Sequence, residues 1–233
     1  AIPPKKIKIW LCGDSTMAIK QTIAYPETGW GMPFVYFWDS TAQVVNLAKN
    51  GRSTKTFINE NLWQQVVGGA QEGDFVFIQF GHNDEVESKK GSYTTPTEFK
   101  FNLTKFVHEA RALKATPILL TPVARRSFDT SGILQDTHKQ YSQLIREVAL
   151  TENVLFIDLD TKSKELYQQF GKDNSTLLFL QLKAGEHPNY PAGKIDNTHF
   201  SELGARLIAQ LVLKEVKALN TDLNNHIVAP KVK

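Results

Sequence analysis

A serine follows the first predicted strand at a position suited to nucleophilic chemistry. The apolar, β-branched run over 6–12 ends at Gly13, and Asp14 and Ser15 come next. A glycine that ends a strand delivers the following side chain to the carboxyl edge of the sheet, where open α/β sheets bind ligands. Ser15 is therefore a candidate nucleophile, and it needs a base, a group that orients the base, and donors for an oxyanion.

Two further strand ends offer such donors. The second predicted strand ends in a turn containing Gly51, and the third ends just before Asn83. Acyl transfer places negative charge on the former carbonyl oxygen, which requires fixed donors about 3 Å away. The backbone N–H groups of Ser15 and Gly51 and the side-chain amide of Asn83 can supply three, and glycine at 51 allows a substrate to approach the backbone closely.

The base is predicted to be His199, which lies just before the last predicted helix. A loop at that place can return to the sheet edge. Asp196 precedes the histidine by three residues, so a single turn can bring its carboxylate against one ring nitrogen. The other nitrogen would then face Ser15, as in a Ser–His–Asp triad.

These residues belong to four blocks that resemble, in order and spacing, those of the SGNH (GDSL) hydrolase superfamily: GDS at 13–15, Gly51, GHND at 81–84 and DNTH at 196–199. The longer segments GDST, GRS, QFGHND and DNTHF are most similar to the rhamnogalacturonan acetylesterase family within it. The resemblance extends from residue 7 to about residue 219. Each motif occurs often by chance, and the specificity lies in finding four in this order.

The resemblance implies a three-layer α/β/α, flavodoxin-like fold with a five-stranded parallel sheet in the order 2-1-3-4-5. It also implies an esterase without metal or other cofactor that removes acetyl groups from pectic polysaccharide (rhamnogalacturonan) through an acyl-enzyme. Carried over to this chain, Ser15 is the nucleophile, His199 the base and Asp196 its orienting group. The oxyanion donors are Ser15, Gly51 and Asn83.

The elements that would position these residues follow from alternating strand and helix patterns, which favour one parallel α/β domain over 1–233. Strands are predicted over 6–12, 43–47, 75–80, 117–121 and 154–158. Helices are predicted over 34–38, 53–67 with Ser53 as N-cap, 97–113, 138–150, 160–170 and 201–219. Loops are predicted over 85–95 and 184–198, and a polar, loosely held tail from about 220.

Five further residues are candidate substrate contacts. Arg52, Arg125 and Arg126 carry guanidinium forks that match a carboxylate, so they can hold galacturonate; the alternative is surface charge or a structural salt bridge. His187 lies in the predicted 184–198 loop and can touch substrate. Trp30 can stack on a sugar ring or pack in the core.

Composition excludes several classes of protein. A single cysteine, Cys12, excludes an internal disulfide and any multi-cysteine metal site. The net charge of +3 with scattered basic residues gives little support to nucleic-acid binding. No apolar run reaches the roughly 18 residues of a membrane span, so no membrane partner is expected. The expected partner is an acetylated polysaccharide or oligosaccharide bound by a monomer, and a start at Ala1 favours a processed, secreted or periplasmic protein.

Alternative functions stay open at this point. The same machinery suits a xylan acetylesterase, a lipase or a thioesterase. A metallophosphoesterase is disfavoured because the order of GHND is scrambled relative to that class and strand one has no Asp-x-His pair. A non-catalytic carbohydrate-binding protein is disfavoured by the complete set of catalytic groups.

Overall fold

Five parallel strands form the central sheet of the computed structural model, which describes residues 5–231. They are β1 (Ile7–Gly13), β2 (Ala42–Asn46), β3 (Phe75–Gln79), β4 (Thr116–Leu120) and β5 (Leu155–Ile157). Their order is β2-β1-β3-β4-β5, and every neighbouring pair is parallel. The predicted order is confirmed, and the carboxyl ends of all five strands meet at one edge.

Helices cover both faces of this sheet. They are α1 (Gly31–Phe34), α2 (Thr54–Asn59), α3 (Leu62–Gly69), α4 (Pro96–Ala112), α5 (Lys139–Thr151), α6 (Leu159–Asn174) and α7 (Glu202–Leu219). Successive β3 side chains alternate between two cores: Phe77 packs with the α1, α6 and α7 layer, and Val76 with the α2 to α5 layer. A strand buried on both sides is a continuous apolar run, which is why β3 was predictable.

The helix predicted over 53–67 is wrong as a single element. The chain forms α2 and then α3, because Asn61 between them adopts a left-handed conformation with φ of 61°. Its beginning is confirmed: the Ser53 side chain accepts the Thr56 N–H, and the Thr56 hydroxyl accepts the Ser53 N–H. Asparagine tolerates a left-handed conformation, so a break at this position leaves little trace in hydrophobic spacing.

The loop predicted over 184–198 is also partly wrong, because its last five residues belong to a strand. β7 (Lys194–Phe200) pairs antiparallel with β6 (Phe179–Leu182) in a separate two-stranded sheet. Only Phe200 of β7 is buried. A strand with one core-facing residue shows no apolar alternation, which is the signal that sequence analysis depends on.

The tail after residue 220 is attached to the fold rather than loosely held. A 3₁₀ helix over 222–226 buries Leu223 completely within the α7 side of the core. His226 Nδ1 lies 2.6 Å from the Thr41 hydroxyl, and Ile227 forms a β-bridge with Trp38. One buried apolar residue is enough to attach this polar segment to the core. A single apolar residue creates no hydrophobic periodicity, so the sequence gives no indication of the attachment.

We expect Leu223→Ala to lower the free energy of unfolding by about 2–5 kcal/mol, the usual cost of a Leu-sized cavity. Val228→Ala, at a side chain 45% exposed, is the matched control and should change stability by less than about 0.5 kcal/mol. Urea unfolding followed by circular dichroism measures both. Equal stability of the two variants would show that the tail does not contribute to the core.

Candidate active site

Ser15 lies in a tight turn at the carboxyl end of β1. The carbonyl of Asp14 accepts the N–H groups of Met17 and Ala18 at 3.2 and 3.1 Å, which closes the turn. The Ser15 hydroxyl then lies 2.8 Å from His199 Nε2, although the two residues are 184 positions apart. The predicted pairing of serine and histidine is therefore present in the fold.

His199 and Asp196 are both in β7 and contact each other directly. His199 Nδ1 lies 2.8 Å from Asp196 Oδ2, while Asp196 Oδ1 accepts the backbone N–H groups of Thr198 and His199 at 2.8 and 2.9 Å. A carboxylate only accepts, so Nδ1 carries the proton in neutral His199 and Nε2 is left to accept the Ser15 hydroxyl proton.

Asp196 is strongly stabilised as an anion. Burial opposes its ionisation, but the His199 ring and the backbone N–H groups of His199 and Thr198 outweigh it, and together they lower the pKa of Asp196 to about 2. The carboxylate therefore stays charged at neutral pH, where it can both hold the imidazole in one orientation and stabilise its protonated form.

The three predicted oxyanion donors lie on loops at the same sheet edge. Asn83 Nδ2 donates to the carbonyl of Arg52 at 3.0 Å, which ties the amide to the turn containing Gly51 and leaves its second N–H unused. Gly51 has φ of +76°, and no atom lies within 4 Å of the place a Cβ would occupy. Among residues 5–231, the backbone N–H groups of Ser15 and Gly51 have no hydrogen-bond acceptor. These two backbone N–H groups are therefore free to donate hydrogen bonds to an oxyanion as it forms.

A buried chain of polar side chains supports the Ser15 turn from below. Asp14 Oδ1 accepts the N–H and the hydroxyl of Thr16 at 2.9 and 2.7 Å, and Gln79 Nε2 donates to that hydroxyl at 2.8 Å. Trp30 Nε1 donates to Gln79 Oε1 at 3.1 Å. The prediction that Trp30 stacks on a sugar is wrong, since its side chain is fully buried and completes this network. Burial raises the pKa of Asp14 above its ordinary value.

Lys20 is a buried residue in contact with the Ser15 turn that the sequence analysis did not single out. Its ammonium donates to the Ser15 carbonyl at 2.5 Å and to Asn50 Oδ1 at 2.7 Å, and it pairs with Glu27 at 3.2 Å. The side chain is only 2% exposed, and burial lowers its pKa. It therefore joins the nucleophile turn to the turn that precedes Gly51. A lone lysine in the polar stretch over 16–27 has no motif that marks it.

Two of the three candidate arginines, Arg52 and Arg126, have their guanidinium groups engaged by other side chains of the protein. Arg52 forms a two-pronged ion pair with Glu60, with Nε–Oε2 and Nη2–Oε1 distances of 2.6 and 2.5 Å. Arg126 Nη1 donates to Asn197 Oδ1 at 3.0 Å, and Arg126 Nε donates to Ser175 Oγ at 2.9 Å. Both guanidinium groups thus make intramolecular contacts, which favours the structural alternative for them.

Arg125 contacts β7 directly, whereas His187 lies in the connection between β6 and β7. Arg125 Nη1 donates to the Thr198 hydroxyl at 2.7 Å, one residue from His199. His187 lies in the β6–β7 connection, with its ring centroid 5.5 Å from that of Tyr25, and it is not part of the hydrogen-bonded triad. The same connection is held against the 22–25 segment by Asn189 Nδ2, which donates to the carbonyls of Thr22 and Tyr25.

Residues 5–231 contain no group of three or more His, Cys, Asp or Glu side chains placed to hold a metal ion. No helix among them combines the length and the apolar character needed to cross a membrane.

The parallel sheet and the Ser–His–Asp arrangement at its carboxyl edge define a hydrolase of the acyl-transfer type. Residues 11–207 match the GDSL-like Lipase/Acylhydrolase family. This match covers most of the chain, and the protein belongs to that family.

Comparison with individual proteins agrees with this assignment. The chain is 38% identical over 225 residues to the rhamnogalacturonan acetylesterase RhgT of Bacillus subtilis (strain 168), covering 97% of this chain and 96% of RhgT. It is 34% identical over 223 residues to the probable rhamnogalacturonan acetylesterase YesY of the same organism, covering 94% and 97%. The crystal structure of YxiM from Bacillus subtilis superposes with a TM-score of 0.80 at 26% identity, covering 94% of this chain and 58% of YxiM.

The depressed pKa of Asp196 makes part of the stability of the fold dependent on pH. A folded-state pKa below the ordinary value of about 3.9 stabilises the fold above that pH, and this stabilisation is lost as the pH falls towards about 2. Asp196→Asn lacks this group, so we expect wild type to exceed the variant in stability at pH 6 by a margin that shrinks between about pH 4 and pH 2. Urea unfolding across this range measures the margin, and a margin independent of pH would contradict the assignment.

Proposed function

We propose that this protein is a serine esterase that hydrolyses acetyl esters on pectic polysaccharide, with rhamnogalacturonan as the substrate. The observation that carries the proposal is the continuous pair of 2.8 Å contacts from Ser15 through His199 to Asp196. The acetyl and pectic specificity is supported by the near full-length relationship to RhgT and YesY.

In the first step, Ser15 Oγ attacks the acetyl carbonyl carbon while His199 Nε2 takes the hydroxyl proton. Asp196 stabilises the imidazolium that forms, because its carboxylate accepts from Nδ1 and stays ionised. The carbonyl oxygen becomes an oxyanion, and the N–H groups of Ser15 and Gly51 and the free N–H of Asn83 are the donors available to it.

Collapse of this tetrahedral intermediate breaks the bond to the sugar oxygen, and His199 returns its proton to that oxygen. The sugar leaves with a free hydroxyl and Ser15 is left as the acetyl ester. A water molecule then attacks the acetyl-enzyme with His199 again as the base, and a second collapse releases acetate and restores the Ser15 hydroxyl.

The substrate is tested by measuring acetate release from a panel of esters. Acetylated rhamnogalacturonan, acetylated xylan fragments and 4-nitrophenyl esters of increasing acyl length separate the proposed activity from a xylan acetylesterase, a lipase and a thioesterase. Preference for the pectic polymer supports the proposal. Acetate release from small esters or xylan alone would overturn the pectic specificity but keep the esterase chemistry.

We expect Ser15→Ala to reduce kcat for 4-nitrophenyl acetate by about 10⁴-fold or more, as loss of the nucleophile does in related mechanisms. Ser88→Ala, at an exposed position in the loop over 85–95, is the matched control and should keep wild-type activity. Both variants should have the circular dichroism spectrum of wild type. A folded Ser15→Ala variant with substantial activity would rule out the proposed nucleophile.

Lys20 is expected to act as a positioning residue, since it joins the two turns that supply oxyanion donors. A displacement of about 1 Å can cost roughly 10²-fold in rate. We therefore expect Lys20→Met to lower kcat for 4-nitrophenyl acetate by about 10- to 100-fold with little change in KM.

The double variant Lys20→Met with Glu27→Gln removes the carboxylate that the single change leaves unpaired. It should regain stability without regaining kcat. Lys89→Met, at an exposed side chain, is the control for loss of a positive charge. Wild-type kcat in a folded Lys20→Met variant would contradict the positioning role.

A further inference from the structure

A cleft of about 660 Å³ lies between α7 and the segment formed by α1 and the turn that follows it. We call it the α1–α7 cleft. Its volume falls within the roughly 300–1,000 Å³ typical of small-molecule sites. None of the triad or oxyanion residues lines it, so the reaction described above leaves it without a role.

One wall of the cleft is apolar and exposed. It includes Ile19, Val35 and Tyr36, whose side chains are 63%, 41% and 81% exposed. Single exposed apolar residues need no explanation, but several lining one concave surface mark a binding site. Tyr36 in particular lies on the surface although a large aromatic side chain gains free energy from burial.

The opposite wall is polar and comes from one face of α7. Glu202, Arg206 and Gln210 recur every four residues and all line the cleft. The Glu202 carboxylate accepts the Tyr25 hydroxyl at 2.9 Å. Within residues 5–231, Arg206 has no ion pair and no side-chain hydrogen bond, so its guanidinium donors are available to a ligand.

Residues that line the cleft are joined to segments that carry the proposed catalytic centre. Ile19 precedes Lys20, whose ammonium binds the Ser15 carbonyl. Thr28, also in the lining, donates its N–H to the carbonyl of Phe200, the residue after His199. Glu202, at the start of α7, follows His199 by three residues, so the end of the cleft at Glu202 is the end nearer to the triad in the chain.

We propose that the α1–α7 cleft is a subsite for saccharide units of the polymer beyond the one that is deacetylated. A pyranose ring has an apolar C–H face and a hydroxyl edge, which match the apolar wall and the carboxylate, guanidinium and amide of the polar wall. The unpaired Arg206 guanidinium suits the carboxylate of a uronic acid unit, which it can bind with two parallel hydrogen bonds. This inference rests on the proposed function, and it assigns a binding surface to the saccharide units that flank the deacetylated one.

The test compares polymer and small ester as substrates. We expect Arg206→Ala and Tyr36→Ala each to lower the ratio of kcat/KM for acetylated rhamnogalacturonan to kcat/KM for 4-nitrophenyl acetate by about tenfold, mainly through KM for the polymer. Lys139→Ala and Leu150→Ala on α5, both at exposed side chains, are the controls for charge and for apolar surface. They should keep the wild-type ratio.

A second readout measures binding without turnover. Deacetylated rhamnogalacturonan fragments should bind Ser15→Ala protein, and adding Arg206→Ala should weaken that binding by a similar factor. Fragments rich in uronic acid should lose more affinity than neutral fragments.

The outcomes separate this inference from the proposed function. Wild-type ratios in both cleft variants, with acetate released from the polymer, would overturn the subsite and keep the function. A selective loss on long-chain 4-nitrophenyl esters would instead assign the cleft to the acyl group and overturn the saccharide subsite. Cleavage of small esters with no acetate from any polymer by wild type would overturn the proposed function itself.

Discussion

The site depends on one contact, the 2.8 Å hydrogen bond between the Ser15 hydroxyl and His199 Nε2. Nothing local holds these residues together, because 184 positions of chain separate them. The serine is placed by the end of a central strand, and the histidine by β7 of the small β6–β7 sheet. Arg126 braces β7, donating its backbone N–H to the Asn197 carbonyl and its guanidinium to the Asn197 side chain. The catalytic geometry is therefore a property of how the hairpin docks on the sheet edge.

Buried polar groups give this edge its rigidity. Lys20 holds the nucleophile turn against the Asn50 side chain, and Gln79 and Trp30 complete the chain of hydrogen bonds below Thr16. Asp84, next to Asn83, accepts hydrogen bonds from the N–H and hydroxyl of Thr54 and from the Thr94 hydroxyl.

Burial raises the pKa of Asp84 to about 7 despite these donors. A polar network of this kind is costly unless every member is paired, so each contact restricts the loops to one arrangement. The oxyanion donors gain from this because they must be in place before charge develops.

The segment over 16–32 contributes both to the support of the Ser15 turn and to the α1–α7 cleft. Thr16, Lys20 and Trp30 make the buried hydrogen bonds that support the turn, while Ile19 and Met32 line the cleft. The nucleophile turn and the cleft therefore share one stretch of chain after β1.

The parallel sheet and its catalytic edge were predictable from the amino-acid sequence, because buried strands are continuous apolar runs and the motif residues follow the strand ends directly. It also predicts Ser15, Asp196 and His199 as one set, because four blocks in this order resemble those of one hydrolase superfamily. Four features became evident only in the folded protein: 194–200 is a strand, Trp30 is buried, Arg52 pairs with Glu60, and Lys20 joins two turns. These features depend on contacts between residues that are far apart in the sequence. Hydrophobic periodicity indicates which face of one helix or strand is buried, but it does not indicate which residue from another element packs against that face.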